Sequence, residues 1–278
     1  KRFLVVLLLG IIVSGYFFPF GLSILPQSVN TKMILALIGA FLVIYNSVRN
    51  RQLTISKDLL VGTCFTVIFS SVCYYSTIVN NTSDYSYATY FVSFFVWLGG
   101  AYTVCAAIRS FHGKVTFKLL TYYLTGVCVV QCILALLIDH IQSFKTFVDT
   151  YIMQGQTFLN KVNRIYGIGA SLDPAGVRFC IVLIMIMALV SKDRTIRSNV
   201  KVSAILIFFF FFISLIGNMI ARTTTVGMVI GLVYLFISIR MNRGGEMEKN
   251  YFNFYFMFVV VLLLAIVISA YLYNTTTY

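Results

Sequence analysis

The chain has 278 residues, of which 60% are hydrophobic and 10% are charged. Soluble domains contain roughly 45–50% apolar and about 25% charged residues, so this composition indicates a membrane protein with several spans. The formal net charge is +13, but the basic residues form short clusters between apolar runs, which argues against a nucleic-acid partner.

Nine apolar runs follow one another along the chain. A helix of roughly 17–25 apolar residues crosses a hydrocarbon core about 30 Å thick, and its backbone groups must be paired within the helix because lipid offers no partners. The predicted spans are residues 3–24, 33–48, 59–79, 87–108, 119–138, 176–191, 202–220, 222–240 and 253–273. The expected fold class is therefore all-α, a polytopic helix bundle that forms one transmembrane domain over residues 1–278.

Two details of the sequence bear on this prediction. Gly227 and Gly231, one helical turn apart in the eighth span, predict a close contact with a neighbouring helix. The chain begins with Lys1 rather than Met and stops at Tyr278 directly after an apolar run. We therefore expect the intact protein to continue beyond Tyr278.

The common catalytic and metal-binding motifs are missing from the sequence. The six cysteines lie within or at the ends of apolar runs, where Cys acts as a small buried hydrophobe, so neither a disulfide nor a metal site is predicted. No P-loop, zinc-protease motif or serine-hydrolase elbow occurs. We expect no cofactor.

The basic residues that flank the predicted spans set the orientation. With the N-terminus inside, fifteen of the 21 lysines and arginines lie on the inner side, as the positive-inside rule requires. The six on the outer side are Lys32, Lys145, Lys161, Arg164, Arg178 and Arg222. The positive-inside rule does not account for the three outer arginines, so their position needs another explanation.

The longest break between spans is the predicted outer loop, residues 139–175. Five apolar residues recur there at helical spacing with polar residues between them: Phe144, Phe147, Val148, Tyr151 and Ile152. This pattern predicts a short amphipathic helix on the membrane surface. Such a helix serves either as an interfacial anchor or as a lid.

The second half of this loop has the features of an anion site. Gly167, Gly169 and Ser171 have small side chains that leave backbone N–H groups approachable, and they lead into the sixth span. Asp173 is predicted to cap that helix, with Pro174 as its first helical residue. The N-terminus of a helix carries a partial positive charge, which favours anions.

Three arginines accompany these glycines. Arg164 precedes them, Arg178 would lie one turn inside the sixth span, and Arg222 starts the eighth. A guanidinium can bind phosphate oxygens through two parallel hydrogen bonds, so the three cations predict a site for phosphates. The alternative is that each arginine simply extends from a helix end to the lipid headgroups.

Two short motifs in this region resemble those of a known family. They are Arg164-x-x-Gly167 followed by Asp173-Pro174, and Asn218-x-x-Ala221-Arg222-Thr223 at the start of a later span. They resemble motifs of the bacterial O-antigen ligase and O-antigen or capsular polysaccharide polymerase (Wzy-type) superfamily. The likeness covers about residues 160 to 235, and it departs from the family at Ala221, where Ser is usual, and at the Asp-Pro step, where Pro-Asn is commoner.

The resemblance implies a metal-independent inverting glycosyltransferase with a GT-C-like membrane fold in the bacterial plasma membrane, its N-terminus cytoplasmic. Arg164 and Arg222 would face the periplasm and contact the diphosphate of a lipid-linked oligosaccharide, carried on undecaprenyl diphosphate, whereas Arg178 has no firm counterpart. Donor and acceptor oligosaccharides, membrane lipids and other membrane proteins of polysaccharide assembly are the implied partners. Family members also carry a large outer loop after a span like residues 253–273.

Transfer of a sugar to a hydroxyl group needs a base. Asp173 is the carboxylate closest in sequence to the glycines, with Asp139, Asp149 and His140 as further candidates. A carboxylate that caps a helix is stabilised as the anion and is a weaker base, so Asp173 has two competing interpretations.

The leading hypothesis is a polymerase that joins repeat units into O-antigen or capsule. Its predicted catalytic residues are Arg164, Arg222 and Asp173, and its predicted substrate-binding residues are Arg178, Gly167, Gly169 and Ser171. A ligase acting on another acceptor, a transporter or flippase for anionic lipid-linked sugars, and a non-catalytic scaffold are the alternatives. Transport would place ionisable groups through the spans to the midplane, and the predicted spans are nearly free of charge, which favours the enzyme.

Overall fold

The protein is a helical membrane protein with several spans. A computed structural model describes residues 2–26, 29–51, 56–155, 159 and 164–241. Over these ranges six helices are long and apolar enough to cross a membrane. Many large apolar side chains on them are exposed, for example Leu37 at 73% and Phe65 at 71%, an arrangement that suits lipid rather than water.

The elements follow the predicted spans closely. In chain order they are α1 (Arg2–Phe17), β1 (Gly21–Leu22), α2 (Thr31–Asn50), α3 (Lys57–Val79), α4 (Tyr90–His112), α5 (Phe117–His140), α6 (Gln142–Tyr151), β2 (Ile152–Met153), α7 (Leu172–Lys192), α8 (Arg194–Ser198), α9 (Val200–Ile220) and α10 (Thr224–Met241). The six long helices α2, α3, α4, α5, α7 and α9 confirm the second to seventh predicted spans. The ninth predicted span, residues 253–273, lies outside the described residues.

The first predicted span, residues 3–24, is wrong at its C-terminal end. Helix α1 stops at Phe17, and the chain continues into β1. Pro19 accounts for the stop, because a proline disfavours helical backbone at the residue before it, here Phe18. Strand β1 pairs antiparallel with β2, with Gly21 opposite Met153 and Leu22 opposite Ile152.

The chain forms two compact units. The first contains α1, the two strands and α5 to α10, and the second contains α2, α3 and α4. Helix α7 is central to the first unit, where it packs against α5, α9 and α10. Its core-facing residues Phe179, Leu183, Ile186 and Met187 are fully buried.

Small residues set the contact between α7 and α10. A Cβ at Gly227 would collide with the Cα of Cys180, and one at Gly231 would lie 3.3 Å from the Cγ of Met187. The backbones therefore approach more closely than larger residues would permit. The predicted helix contact at Gly227 and Gly231 is confirmed.

In the second unit, α2 and α4 pack through a similar close contact. A Cβ at Gly39 would collide with the carbonyl oxygen of Gly99. The Thr103 hydroxyl donates to the Leu35 carbonyl oxygen at 2.7 Å. The Lys32 ammonium lies 4.0 Å from the centre of the Trp97 ring, a cation–π contact.

An ion pair fixes one end of the first unit. The Lys118 ammonium at the start of α5 lies 3.2 Å from the Asp193 carboxylate that follows α7. Asp193 also accepts hydrogen bonds from the backbone N–H and hydroxyl of Thr195 at 2.9 and 2.6 Å. The hydroxyl bond is the main cause that lowers the pKa of Asp193. Helices α5 and α7 therefore run in opposite directions. The last residues of α5 lie with the first residues of α7 at the other end of the unit.

We expect Gly227→Ala to destabilise the protein and Gly126→Ala to leave it as stable or slightly more so. The methyl group at position 227 would meet the backbone of α7, an overpacking that costs about 1–3 kcal/mol. Gly126 is also helical, but nothing lies within 4 Å of its Cβ position. Thermal unfolding of both variants in detergent tests this, and equal unfolding temperatures would contradict the assigned contact.

Candidate functional site

The segment of residues 164–171, which we call the 164–171 segment, enters the helix bundle rather than lying on it. The backbone N–H of Ile168 donates to the Oε1 atom of Gln131 at 2.9 Å. Gln131 lies nine residues before the last residue of α5, His140, or roughly 13 Å along the helix axis. The segment therefore descends well below the end of α5.

Gln131 joins three parts of the first unit. Its side chain is buried, with 2% exposed. Besides accepting from Ile168, it donates from Nε2 to the Ser14 hydroxyl of α1 at 3.2 Å. The sequence predictions missed this residue, although a glutamine within the apolar run 119–138 is itself a signal, because a polar side chain in a span needs a partner.

The glycines of the segment serve close packing. A Cβ at Gly167 would lie 2.5 Å from Gln131 Oε1, and one at Gly169 would collide with the carbonyl oxygen of Phe18. Gly169 also has a φ of +71°, a backbone conformation that residues with a side chain rarely adopt.

The prediction that these glycines leave their N–H groups open to an anion is wrong for Gly167 and Gly169. The N–H of Gly167 donates to the Ala170 carbonyl oxygen at 2.8 Å, and that of Gly169 donates to Gln154 Oε1 at 2.6 Å. Backbone donors that enter a helix bundle need partners, and these two are paired within the protein.

A small apolar core covers the segment at this end of the unit. We call it the cap, and its buried residues are Ile138, Val148, Ile152, Leu159 and Tyr166. The amphipathic helix is confirmed as α6. Its buried face supplies Val148 to the cap, while Phe147 and Tyr151 on the other side are exposed and contact each other as a tilted ring pair with centres 5.0 Å apart.

A tyrosine fastens the segment to α6. The hydroxyl of Tyr166 donates to the Asp149 carboxylate at 2.7 Å. Burial, together with this bond to a carboxylate, raises the pKa of Tyr166 well above its ordinary value. Asp149, one of the candidate bases, is thus occupied as a hydrogen-bond acceptor.

Helix α7 starts earlier than predicted. Its cap position is Ser171, whose side chain makes no capping hydrogen bond, and Asp173 lies in the first turn. Leu172 has a φ of 51°, a left-handed conformation that costs a residue with a side chain roughly 1–2 kcal/mol. The prediction that Asp173 caps the helix is therefore wrong, because α7 begins at Leu172, two residues before Pro174. Asp173 is exposed.

Arg178 lies inside the bundle, six residues beyond the start of α7. Its guanidinium carbon is 5.7 Å from the centre of the Phe18 ring. Cys128 and Tyr16 are within electrostatic range of it. Six residues along α7 correspond to roughly 9 Å from the start of that helix.

The other two arginines lie nearer the surface of this end. Arg164 is half-buried at the start of the 164–171 segment, and Arg222 is exposed in the turn between α9 and α10. A Cβ at Gly176 would collide with the hydroxyl of Thr223, the neighbour of Arg222. That turn therefore packs on α7.

The structure brings the three arginines to one end of the unit but not to one face of α7. Gly176 faces the turn that carries Arg222, while Arg178 faces α1 and α5. Gly176 and Arg178 are two residues apart, and such residues point about 200° apart around the helix axis, since a turn contains 3.6 residues. The arrangement offers two separate cationic positions beside the start of α7.

The remaining candidate bases lie at the end of α5. His140 Nδ1 is 3.6 Å from the Asp139 carboxylate and 3.0 Å from the Leu136 carbonyl oxygen. Among the described residues, no three His, Cys, Asp or Glu side chains are grouped so as to hold a metal ion. Asp173 makes no hydrogen bond or ion pair within the described part of the chain, so it is the candidate base whose carboxylate is least engaged.

We expect Gln131→Leu to destabilise the first unit by about 1–3 kcal/mol, because the buried N–H of Ile168 loses its acceptor. Gln142→Leu, the same change at an exposed position of α6, should have little effect. Unfolding of both variants in detergent measures the difference. Equal stability would contradict the role assigned to Gln131.

The Tyr166 contact predicts a dependence on pH. Because the folded protein holds the Tyr166 proton to higher pH than the unfolded chain, its contribution to stability is complete below about pH 10. It is lost as the pH rises from there towards the folded-state pKa. The unfolding temperature should therefore fall with alkaline pH more steeply in the wild type than in Tyr166→Phe. Tyr151→Phe, at an exposed tyrosine, should keep the steeper slope, and parallel curves for all three proteins would refute the prediction.

Comparison with protein-family models, curated proteins and solved structures found no match to this chain.

Proposed function

We propose that this protein is a plasma-membrane glycosyltransferase that polymerises oligosaccharide repeat units carried on undecaprenyl diphosphate. One observation carries the proposal: the elements that bear the predicted arginines meet at the start of α7. The 164–171 segment leads into that helix, and the turn that carries Arg222 packs on its residue Gly176. The motif resemblance of about residues 160 to 235 supports the choice of reaction.

In the proposed reaction a hydroxyl of the acceptor sugar attacks the anomeric carbon of the donor. The new carbon–oxygen bond forms as the bond to the diphosphate breaks, with inversion at that carbon. The hydroxyl proton passes to a base, and the polyprenyl diphosphate leaves with an additional negative charge. Arg164 and Arg222 would bind that charge as it develops, and their effect is large because they are permanently charged and preorganised.

Asp173 is the base that suits this scheme best. Its carboxylate is exposed in the first turn of α7 and does not occupy the cap position of that helix. Asp149 accepts the Tyr166 hydroxyl and Asp139 lies beside His140, so both have other partners. An exposed, unengaged carboxylate is free to approach an acceptor hydroxyl.

We expect Arg164→Ala and Arg222→Ala each to reduce polymerisation by on the order of 10²-fold, the typical effect of removing one preorganised donor to a developing negative charge. Arg164→Lys should restore little, because an ammonium cannot bind two phosphate oxygens in a fixed plane. The measurement is the chain length of product formed by the full-length protein in proteoliposomes that contain lipid-linked repeat units.

Lys145→Ala is the matched control. It removes one positive charge from α6 at the same end of the unit, outside the proposed site. Polymerisation should stay near the wild-type rate. Folded Arg164→Ala and Arg222→Ala proteins that elongate at the wild-type rate would refute the proposed function.

One observation favours a second candidate, a transporter or flippase for the same lipid-linked sugars. Arg178 lies within the span formed by α7, six residues beyond the start of that helix, and an ionisable residue within a span marks the path of a polar substrate in many transporters. Transfer of the lipid-linked sugar between leaflets without elongation would favour this function over polymerisation.

A further inference from the structure

Positive charge collects at the end of the first unit that lies opposite the cap. Five basic residues come together there from the start of α5, the last residue of α7, helix α8 and the first turn of α9. They are Lys118, Lys192, Arg194, Arg197 and Lys201, and we call them the basic end. In the described part of the first unit, Asp193 is the one carboxylate at this end. The charge of this surface is therefore strongly one-sided.

Asp193 cannot neutralise the other cations, because both of its oxygens are engaged. The Oδ2 atom lies 3.2 Å from the Lys118 ammonium. The Oδ1 atom accepts hydrogen bonds from the hydroxyl and the backbone N–H of Thr195 and from the backbone N–H of Ile196. The carboxylate thus orders the loop between α7 and α9 and balances the charge of Lys118 alone.

Three of the five cations are available to a ligand. Lys192, Arg194 and Lys201 are exposed, and among the described residues they make no ion pair and no side-chain hydrogen bond. Arg197 differs, since its Nη1 atom donates to the Ser191 carbonyl oxygen at 3.4 Å. An anion that approaches this end meets three cations whose charge nothing described in the protein offsets.

The loop that presents these cations has a fixed fold. Ile196 of α8 is 1% exposed, and its carbonyl oxygen accepts the Ser203 hydroxyl of α9 at 2.8 Å. With Ile196 turned inwards, Arg194 of the same short helix is exposed. The positive-inside rule requires basic residues on one side of the membrane but no particular arrangement of them. Cations held in place before binding lose less entropy when a ligand arrives, so the fixed loop favours a binding site.

The neighbours of Lys201 indicate the kind of anion. Val200 is 44% exposed, and Ile205, about one turn beyond Lys201 on α9, is 53% exposed. Lysine near the end of a span extends to the boundary between hydrocarbon and headgroups, where the anions are lipid phosphates. A phospholipid supplies a phosphate at the level of Lys201 and an acyl chain at the level of Ile205. An acidic soluble protein supplies only the first.

We propose that the basic end binds the headgroup of an anionic phospholipid, with Lys192, Arg194 and Lys201 in contact with its phosphodiester. A zwitterionic headgroup carries a cation of its own, which this surface repels, so the site discriminates by net charge. A basic residue at a membrane surface strengthens the attraction to anionic lipid about fivefold. The proposal does not depend on the glycosyltransferase function.

The test is a titration of the full-length protein in dodecyl maltoside with fluorescent phosphatidylglycerol. Replacement of two cations, Lys192→Gln together with Arg194→Gln, should weaken binding at least tenfold. Phosphatidylcholine with the same fluorophore should bind the wild type at least tenfold more weakly than phosphatidylglycerol does. Unchanged binding in the double variant, or equal binding of the two lipids, overturns the proposal.

The matched control removes the same charge from another helix end. Arg49 and Arg51 are exposed at the end of α2, on the side of the membrane where the sequence also places the basic end. Arg49→Gln together with Arg51→Gln should bind phosphatidylglycerol as the wild type does. An equal loss in both double variants would show attraction to the overall charge of the protein and would overturn a specific site.

Two further variants keep the test independent of folding at positions 192 and 194. The exchange Lys192→Arg with Arg194→Lys preserves both charges and should bind as the wild type does. Lys201→Gln, on a different helix, should weaken binding about fivefold. Weak binding in the charge-preserving exchange, or unchanged binding in Lys201→Gln, contradicts the assigned contacts.

Competition identifies the source of the phosphate. Glycerol 3-phosphate carries a phosphate without acyl chains, and polyglutamate carries negative charge without phosphate. Neither should displace phosphatidylglycerol at equal concentration, because neither reaches the level of Ile205. Displacement by glycerol 3-phosphate would assign the site to a soluble phosphate, and displacement by polyglutamate would assign it to an acidic protein. Either result overturns the lipid site.

Discussion

The arrangement of the first unit depends on one requirement, that a backbone inside a bilayer must have its hydrogen-bonding groups paired. The 164–171 segment is irregular, so it cannot meet this requirement by forming a helix. Gln131 of α5 and Gln154 after β2 provide acceptors for its N–H groups. The Gln131 amide also binds Ser14, which couples the segment to α1. The level at which α7 begins, and with it the depth of Arg178, follows from these bonds.

The faces of α7 have different neighbours, so the charged groups near its start lie on different sides of the helix. Gly176, Cys180 and Leu183 lie towards α10 and the turn before it, where glycines permit close approach. Arg178 lies towards α1 and α5. A single helix thus separates one cation within the bundle from another in an exposed turn.

The carboxylates of the first unit differ in whether they have a bonding partner. In the described part of the first unit, Asp149 is bonded to Tyr166, Asp139 lies beside His140, and Asp193 pairs with Lys118 at the other end. Asp173 alone among these four carboxylates makes no such contact there. A bilayer penalises ionised groups, so few are present and most have a structural partner. The exception, Asp173, lies in the first turn of α7, near whose start the three arginines lie.

Composition and periodicity determined the class of the protein and the positions of its long helices. Spans are predictable because lipid forces every backbone group into a local helical bond, and the required length of apolar sequence is set by the bilayer. The amphipathic helix α6 and the close contact at Gly227 and Gly231 were predictable for a similar reason, since both depend on local spacing. The resemblance to a polysaccharide polymerase also came from sequence, as short motifs around Arg164 and Arg222.

Only the tertiary structure decided what the glycines and the arginines face. The sequence predicted an open anion site at Gly167 and Gly169. In the structure the N–H of Gly167 is bonded to the Ala170 carbonyl oxygen, and the N–H of Gly169 is bonded to the side chain of Gln154. Gln131 was missed because its partners, Ser14 and Ile168, are distant in sequence. The depth of Arg178 depends on how far the 164–171 segment descends, and that distance is set by contacts between elements rather than by the local order of residues.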